Sequence, residues 1–71
     1  MEKIKITTEY IKLESFLKLA GVCMSGGEAK NVINNGLVKV DGEVCTMRGK
    51  KLRGGEKVEF DGSVILVENE N

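Results

Sequence analysis

The chain has 71 residues and a mass of 7.8 kDa, which is enough for one small domain, with 41% apolar residues, 31% charged residues and no histidine. Eleven basic and eleven acidic residues cancel at neutral pH. The absence of imidazole removes the commonest general base and metal ligand, and no apolar run approaches the roughly 18 residues of a membrane span. We therefore expect no enzymatic activity, cofactor, metal site, small-molecule substrate or membrane partner.

The first predicted element is a strand over residues 1–7, where polar and apolar residues alternate and Ile4 shares a face with Ile6. An amphipathic helix follows, and Gly21 ends it. Its apolar stripe has the spacing i, i+3, i+4, i+7 and consists of Leu13, Phe16, Leu17 and Ala20.

A capping box predicts the second helix. Ser25 is followed three residues later by Glu28, the pattern in which each side chain satisfies a free backbone amide at a helix start. Ala29, Val32 and Ile33 form the apolar stripe, and Gly36 suits a helix end that turns left-handed. Because few residues join the two short helices, we expect them to pack as a helical hairpin.

The remaining chain has the two-residue period of strands. Asp41-Gly42 predicts a tight turn between a strand containing Val38 and Val40 and a return strand over 43–47. Asp61-Gly62 predicts a second such turn, between strands 57–60 and 64–68. Together these elements indicate an α+β fold in which a helix hairpin packs on a small, mostly antiparallel sheet.

Charge is unevenly distributed behind the neutral total. Residues 1–44 carry six charges of each sign, and residues 56–71 carry five acids and one lysine, a net charge of −4. Between them, residues 45–55 carry four cations and no acid: Arg48, Lys50, Lys51 and Arg53. We call residues 45–55 the basic segment and expect it to form a loop between the two hairpins. Its charge exceeds what solubility requires and favours contact with an anionic partner, although solvated loop charge is the alternative.

Cys23 and Cys45 are the only cysteines. In the absence of an export signal at the start of the sequence, we interpret them as free thiols in the cytoplasm, although one disulfide would be possible in a secreted chain. Two thiols without histidine make a poor zinc site. Both have apolar neighbours, so we expect them to be small buried residues.

The run from Ile11 to Phe60 resembles the RNA-binding domain named after small-subunit ribosomal protein S-four, also called the alpha-L motif. The strings SGGEAK and RGKKLRGGEKVEF are most similar to small stand-alone bacterial members of this family. The matching positions are Leu13, Leu17, Gly21, Ser25, Ala29, Ile33, Gly36, Val38, Val40, Asp41-Gly42, Gly55-Glu56 and Val58. The resemblance implies a single RNA-binding domain over 1–71, with a motif core of 11–60.

The resemblance also implies which residues contact RNA. At the start of the second helix they are Ser25, Gly26, Gly27, Lys30 and Asn34, and in the basic segment they are Arg48, Lys50, Lys51 and Arg53. Gly26 stands where many relatives have arginine, and Asn31 replaces a cation frequent in longer relatives. Both departures remove positive charge from the helix face, so the basic segment becomes the more important half of the expected RNA surface.

The expected partner is structured RNA, either ribosomal or transfer RNA, bound by a monomer that associates with the ribosome. Recognition of single strands requires exposed aromatic side chains, and this chain has only Tyr10, Phe16 and Phe60, of which the phenylalanines occupy core positions. Contacts with backbone and shape therefore fit the composition better. The alternative is a protein–protein interaction module associated with the ribosome or another nucleoprotein complex, supported by the zero net charge, the acidic residues after Gly55 and the reduced positive charge of the helix face.

Overall fold

The computed structural model describes residues 1–71 and contains seven strands and two helices. The strands are β1 (Glu2–Ile6), β2 (Ile11–Lys12), β3 (Val38–Val40), β4 (Glu43–Val44), β5 (Lys51–Leu52), β6 (Lys57–Phe60) and β7 (Ser63–Asn69). The helices are α1 (Leu13–Leu19) and α2 (Gly26–Asn34). Neither helix is long and apolar enough to cross a membrane.

Five strands form a mixed sheet in the order β1-β7-β6-β3-β4, and β2 pairs with β5 in a separate two-stranded ribbon. All pairings are antiparallel except that of β1 with β7, in which Glu2 lies beside Ile65 and Ile6 beside Asn69. The first and last strands of the chain are thus neighbours. The predicted α+β class and mostly antiparallel sheet are confirmed.

Both predicted tight turns are present. Asp41 and Gly42 have φ values of 53° and 86°, and Asp61 and Gly62 have values of 52° and 81°. Positive φ at both central residues is the geometry that matches the twist of a two-residue hairpin. The flanking pairs Val40–Glu43 and Phe60–Ser63 fix the register of the two hairpins.

Both helices end in the same hydrogen-bonded motif. At the end of α2, the Leu37 amide donates to the Val32 carbonyl and the Gly36 amide to the Ile33 carbonyl, with Gly36 at φ 73°. This is a Schellman motif, and a side chain at Gly36 would be strained in the left-handed region. Gly21 ends α1 in the same way at φ 76°, as predicted.

The core lies between the helices and the five-stranded sheet. Every buried side chain is apolar, and the largest are Phe16, Leu13, Leu17, Ile33, Leu52 and Ile65. Each such side chain contributes about 1.5–3 kcal/mol relative to an exposed one. The predicted stripes of both helices supply this core, although Val32 and Ala20 are only half-buried.

Three predictions for residues 43–55 were wrong in detail. The return strand ends at Val44 instead of Met47, because the chain then leaves the sheet toward the start of α1. The basic segment is not loop throughout, since Lys51 and Leu52 form β5. Cys45 is half-buried instead of buried, whereas Cys23 is buried as predicted. Both thiols are free.

Candidate nucleic-acid interface

The start of α2 is closed by the predicted cap. The Ser25 hydroxyl oxygen accepts from the Glu28 amide at 3.1 Å, and a Glu28 carboxylate oxygen accepts from the Met24 amide at 3.3 Å. The glutamate thus reaches the residue before the N-cap instead of the N-cap itself. The cap uses the hydroxyl's lone pair but leaves its hydrogen free to donate.

The other predicted RNA contacts of α2 are all exposed: Gly26, Gly27, Lys30 and Asn34. A Cβ atom at Gly26 would have no neighbour within 4 Å, and one at Gly27 would meet only the Ser25 hydroxyl at 3.9 Å. Lys30 and Asn34 are four residues apart and therefore lie on one face of the helix. This region offers one cation and an unobstructed backbone.

The first turn of α1 anchors the basic segment. The Leu13 amide donates to the Lys50 carbonyl at 2.9 Å, and the Glu14 amide to the Arg48 carbonyl at 3.2 Å. Helix-start amides have no partner within their own helix, so these bonds satisfy groups that would otherwise be unpaired. The backbone of the basic segment is therefore fixed to α1, while the side chains of Arg48, Lys51 and Arg53 stay exposed and that of Lys50 is half-buried.

Tyr10 lies beneath two of the cations. The Lys51 ammonium nitrogen is 4.8 Å from the centroid of the Tyr10 ring, and the Arg53 guanidinium carbon is 5.7 Å from it. Both distances fall within the range of cation–π attraction. These cations cover one face of the ring of Tyr10, which is the single tyrosine of the chain and is half-exposed. This arrangement fits backbone recognition better than base stacking.

The end of the basic segment is held by Glu56 and Asn69. The Glu56 carboxylate accepts from the amides of Arg53 at 2.8 Å and Gly54 at 2.7 Å. The Asn69 side-chain amide donates to the carbonyls of Arg53, at 2.6 Å, and of Thr8, at 3.1 Å. Gly54 has φ 133°, and a Cβ atom there would lie 2.9 Å from the Cβ of Asn69. Only glycine fits this close approach.

Three of the five acidic residues after the basic segment have partners within the chain. Glu68 pairs with Lys3 at 3.7 Å and Glu70 with Lys5 at 3.2 Å, across the parallel strands β1 and β7. Glu56 binds backbone amides as described above. Of the four cations in the basic segment, only Arg53 has an acidic partner, Glu9 at 3.5 Å. The parallel pairing thus gives two of the five acids in residues 56–71 basic partners, whereas three of the four cations in the basic segment have no acidic partner.

No group of three or more cysteine and carboxylate side chains is arranged to hold a metal ion. Burial, with the nearby Glu28 carboxylate as a smaller cause, raises the pKa of the Cys23 thiol. Cys23 is therefore neutral at physiological pH and packs as a small apolar side chain.

The predicted RNA contacts fall into two groups, held by different parts of the fold. No hydrogen bond or ion pair joins the side chains of α2 to those of the basic segment. Tyr10 was not among the predicted site residues. It lies 41 positions before Lys51 in the sequence, and only the pairing of β2 with β5 brings the two residues together.

These features define a small α+β domain with a capped helix start and an anchored, uncompensated basic segment. Residues 4–68 match the S4 domain family, and the chain belongs to that family. The predicted resemblance is confirmed. The match extends beyond the predicted core at both ends, into β1 and β7.

Two relatives and one solved structure resemble the chain over most of its length. It is 48% identical over 59 residues to the "Probable ribosome maturation protein RlbA" of Bacillus subtilis (strain 168), covering 83% of each chain. It is 41% identical over 58 residues to YbcJ of Escherichia coli (strain K12), covering 82% of this chain and 83% of YbcJ. The solution structure of YbcJ is described as revealing an alpha-L motif involved in RNA-binding. It matches with a TM-score of 0.74 and 36% identity, over 96% of this chain and 87% of that one.

Proposed function

We propose that the chain is a non-catalytic RNA-binding protein that recognises structured RNA through its phosphate backbone and shape. The basic segment is the observation that carries this proposal. Its backbone is fixed to α1, and three of its four cations have no acidic partner. An anchored array of unpaired cations suits phosphate contact, which dominates the affinity of proteins for nucleic acids.

The contacting residues in this proposal are the two predicted groups. Arg48, Lys50, Lys51 and Arg53 bind phosphates as cations. At the start of α2, Ser25 donates to a phosphate oxygen, and Gly26 and Gly27 let the RNA backbone come close. Lys30, in the middle of the helix, donates to a further phosphate oxygen. Asn34, the last residue of α2, lies on the same helix face as Lys30 and contacts the same RNA strand. The basic segment supplies most of the charge and therefore most of the affinity.

Ribosomal RNA is the preferred partner among the structured RNAs, with transfer RNA as the alternative. The name of the Bacillus subtilis relative supports this choice, because it connects that protein with ribosome maturation. We propose that the chain acts as a monomer in the cytoplasm, on ribosomal particles. Shape and backbone recognition suits double-helical RNA, whose deep major groove side chains cannot enter.

A protein-interaction module has less support. That alternative depends on the acidic residues after Gly55 being free to dock on a basic partner. Glu68 and Glu70 pair with lysines of β1, and Glu56 binds two backbone amides. Only Glu59 and Asp61 remain without an ion pair or amide contact, and two charges are a weak basis for a docking surface.

The experiment that tests the proposal is filter retention of protein-free ribosomal RNA and of total transfer RNA over a series of salt concentrations. The four cations of the basic segment predict a slope of log K against log salt near −3 to −4, from about 0.9 per contact, and a contact by Lys30 would steepen it further. Stronger retention of ribosomal RNA would support the preferred partner. Failure to retain either RNA at low salt would contradict the proposed function.

A further inference from the structure

The ribbon of β2 and β5 has one apolar face and one charged face. Ile11 pairs with Leu52, which is fully buried, and Ile11 packs against the same core. Lys12 pairs with Lys51, and both are exposed. Because successive side chains of a strand point to opposite faces, and directly opposed residues share a face, Lys12 and Lys51 lie together on the outer face.

Tyr10 and Arg53 continue this outer face. Tyr10 lies two residues before Lys12, and Arg53 lies two residues after Lys51, so the alternation places both beside the lysine pair. The positions of the Lys51 ammonium and the Arg53 guanidinium over the Tyr10 ring, at 4.8 and 5.7 Å, agree with this placement. We call these four side chains (Tyr10, Lys12, Lys51 and Arg53) the ribbon face.

The ribbon face places two lysines directly opposite each other. Like charges directly opposite one another on antiparallel strands destabilise the pairing. Neither Lys12 nor Lys51 has an acidic partner within ion-pair distance. The one ion pair on this face joins Arg53 to Glu9 at 3.5 Å, between side chains that are 57% and 80% exposed. Such a pair is weak and leaves Arg53 available.

We propose that the ribbon face binds the phosphodiester backbone of RNA, with Lys12 and Lys51 as a paired phosphate site and Tyr10 as the positioning residue for Lys51 and Arg53. This inference rests on the proposed function and adds two residues to it, Lys12 and Tyr10. A phosphate between the two ammonium groups relieves their repulsion. Attraction to the Tyr10 ring restricts the side-chain conformations of Lys51 and Arg53 before binding. This reduces the conformational entropy that these side chains lose when RNA binds.

The role of Lys12 is tested by salt-dependent retention of protein-free ribosomal RNA. Lys12→Gln should lower the magnitude of the slope of log K against log salt by about 0.7–0.9, the value of one phosphate contact. Lys39→Gln is the matched control, because Lys39 is an exposed lysine on β3, outside the ribbon. Its slope should equal that of the parent. The melting temperature of Lys12→Gln should be unchanged or higher, since the substitution removes a like-charge pair.

The outcomes separate the two proposals. If the parent protein retains neither ribosomal nor transfer RNA, both the proposed function and the ribbon face are overturned. If the parent binds with the expected slope but Lys12→Gln behaves as the parent does, only the ribbon face is overturned. Equal changes for Lys12→Gln and Lys39→Gln also overturn it, because they would report net charge alone.

The role of Tyr10 is tested by comparing Tyr10→Phe with Tyr10→Leu in the same assay, at a temperature where all variants are folded. Phenylalanine keeps the ring and should bind as the parent does. Leucine should weaken binding by about three-fold, the loss expected for an exposed cation–π contact. In a Lys51→Gln background the leucine substitution should cost less, because the two residues act together. An equal cost in both backgrounds, or a loss with phenylalanine, would overturn the positioning role.

Discussion

The start of α2 and the basic segment are both exposed and polar, yet they use their polar groups differently. At α2, the Ser25 hydroxyl and the Glu28 carboxylate are engaged by backbone amides of the same turn. In the basic segment, the backbone is engaged by α1 while the charged side chains point outward. At the start of α2, side chains hold the backbone in place. In the basic segment, hydrogen bonds of the backbone to α1 hold the segment and leave its charged side chains free of that task.

This difference assigns different contributions to the two regions. Side chains that cap a helix contribute to the stability of the fold. For a ligand they leave only free hydrogen-bond donors, such as the Ser25 hydroxyl hydrogen, and the unobstructed backbone around them. Cations on an anchored backbone contribute little to stability and can give all their charge to a ligand. Substitutions should therefore change binding most in the basic segment and change unfolding most where the backbone is held.

The largest effect is expected from replacing Lys50 and Lys51 together with alanine. The slope of log K against log salt for ribosomal RNA should flatten by about 2, because two phosphate contacts are lost. The matched control replaces Lys3 and Lys5 with alanine, which removes the same charge from lysines paired with Glu68 and Glu70. The control slope should stay at the parent value. Equal flattening in both double variants would show that net charge, not position, drives binding.

Gly54→Ala should produce the largest loss of stability. Alanine at φ 133°, with its Cβ 2.9 Å from that of Asn69, forces the backbone out of an essentially glycine-only region. We expect the free energy of unfolding to fall by about 1–3 kcal/mol, measured by urea denaturation. Gly49→Ala is the control, since Gly49 has no neighbour within 4 Å and no positive φ. A comparable loss at Gly49 would mean that the basic segment tolerates no change at all.

Ser25→Ala should lower the free energy of unfolding by about 1 kcal/mol, because the Glu28 amide loses its acceptor. In a chain of this size that corresponds to about 4–8 °C in melting temperature. Ser15→Ala, at an exposed position within α1, is the control and should be neutral or slightly stabilising. Where the Ser25 variant is still fully folded, RNA affinity should also fall, since the hydroxyl hydrogen is lost. Unchanged affinity would make Ser25 a helix cap only.

The smallest effect on stability is expected for Gly26→Arg. Arginine favours a helix over glycine by several tenths of a kcal/mol or more, but a cation in the first turn opposes the helix dipole by about 0.3–1 kcal/mol. The position is open, so the fold should accept the side chain. Binding to RNA should tighten, and the salt slope should steepen by about one contact. Gly26→Gln has a similar size without charge and should leave the slope unchanged. Weaker binding by a folded arginine variant would mean that the RNA backbone approaches the glycines closely.

Local patterns in the sequence predicted most of the fold. The capping box at Ser25 and the helix end at Gly36 depend on hydrogen bonds between residues at most five positions apart. Each Asp-Gly turn connects strand residues that are three positions apart. Short stretches of sequence were therefore enough to predict these features. Helical periodicity identified Leu13, Phe16 and Leu17, all of which are buried. The ribbon was missed, because β2 and β5 are two residues long and show no period of their own.

Residue identity and short spacing are enough to predict the types and order of the main elements, the family and the positive charge of residues 45–55. Which of the charges have partners depends on how the chain folds. The tertiary structure brings Glu68 and Glu70 to lysines of the first strand, and it places Lys51 over Tyr10. These contacts join residues about 40 to 65 positions apart in the chain. Electrostatic and cation–π contacts depend on distances of a few ångströms, and only strand pairing brings such distant residues that close.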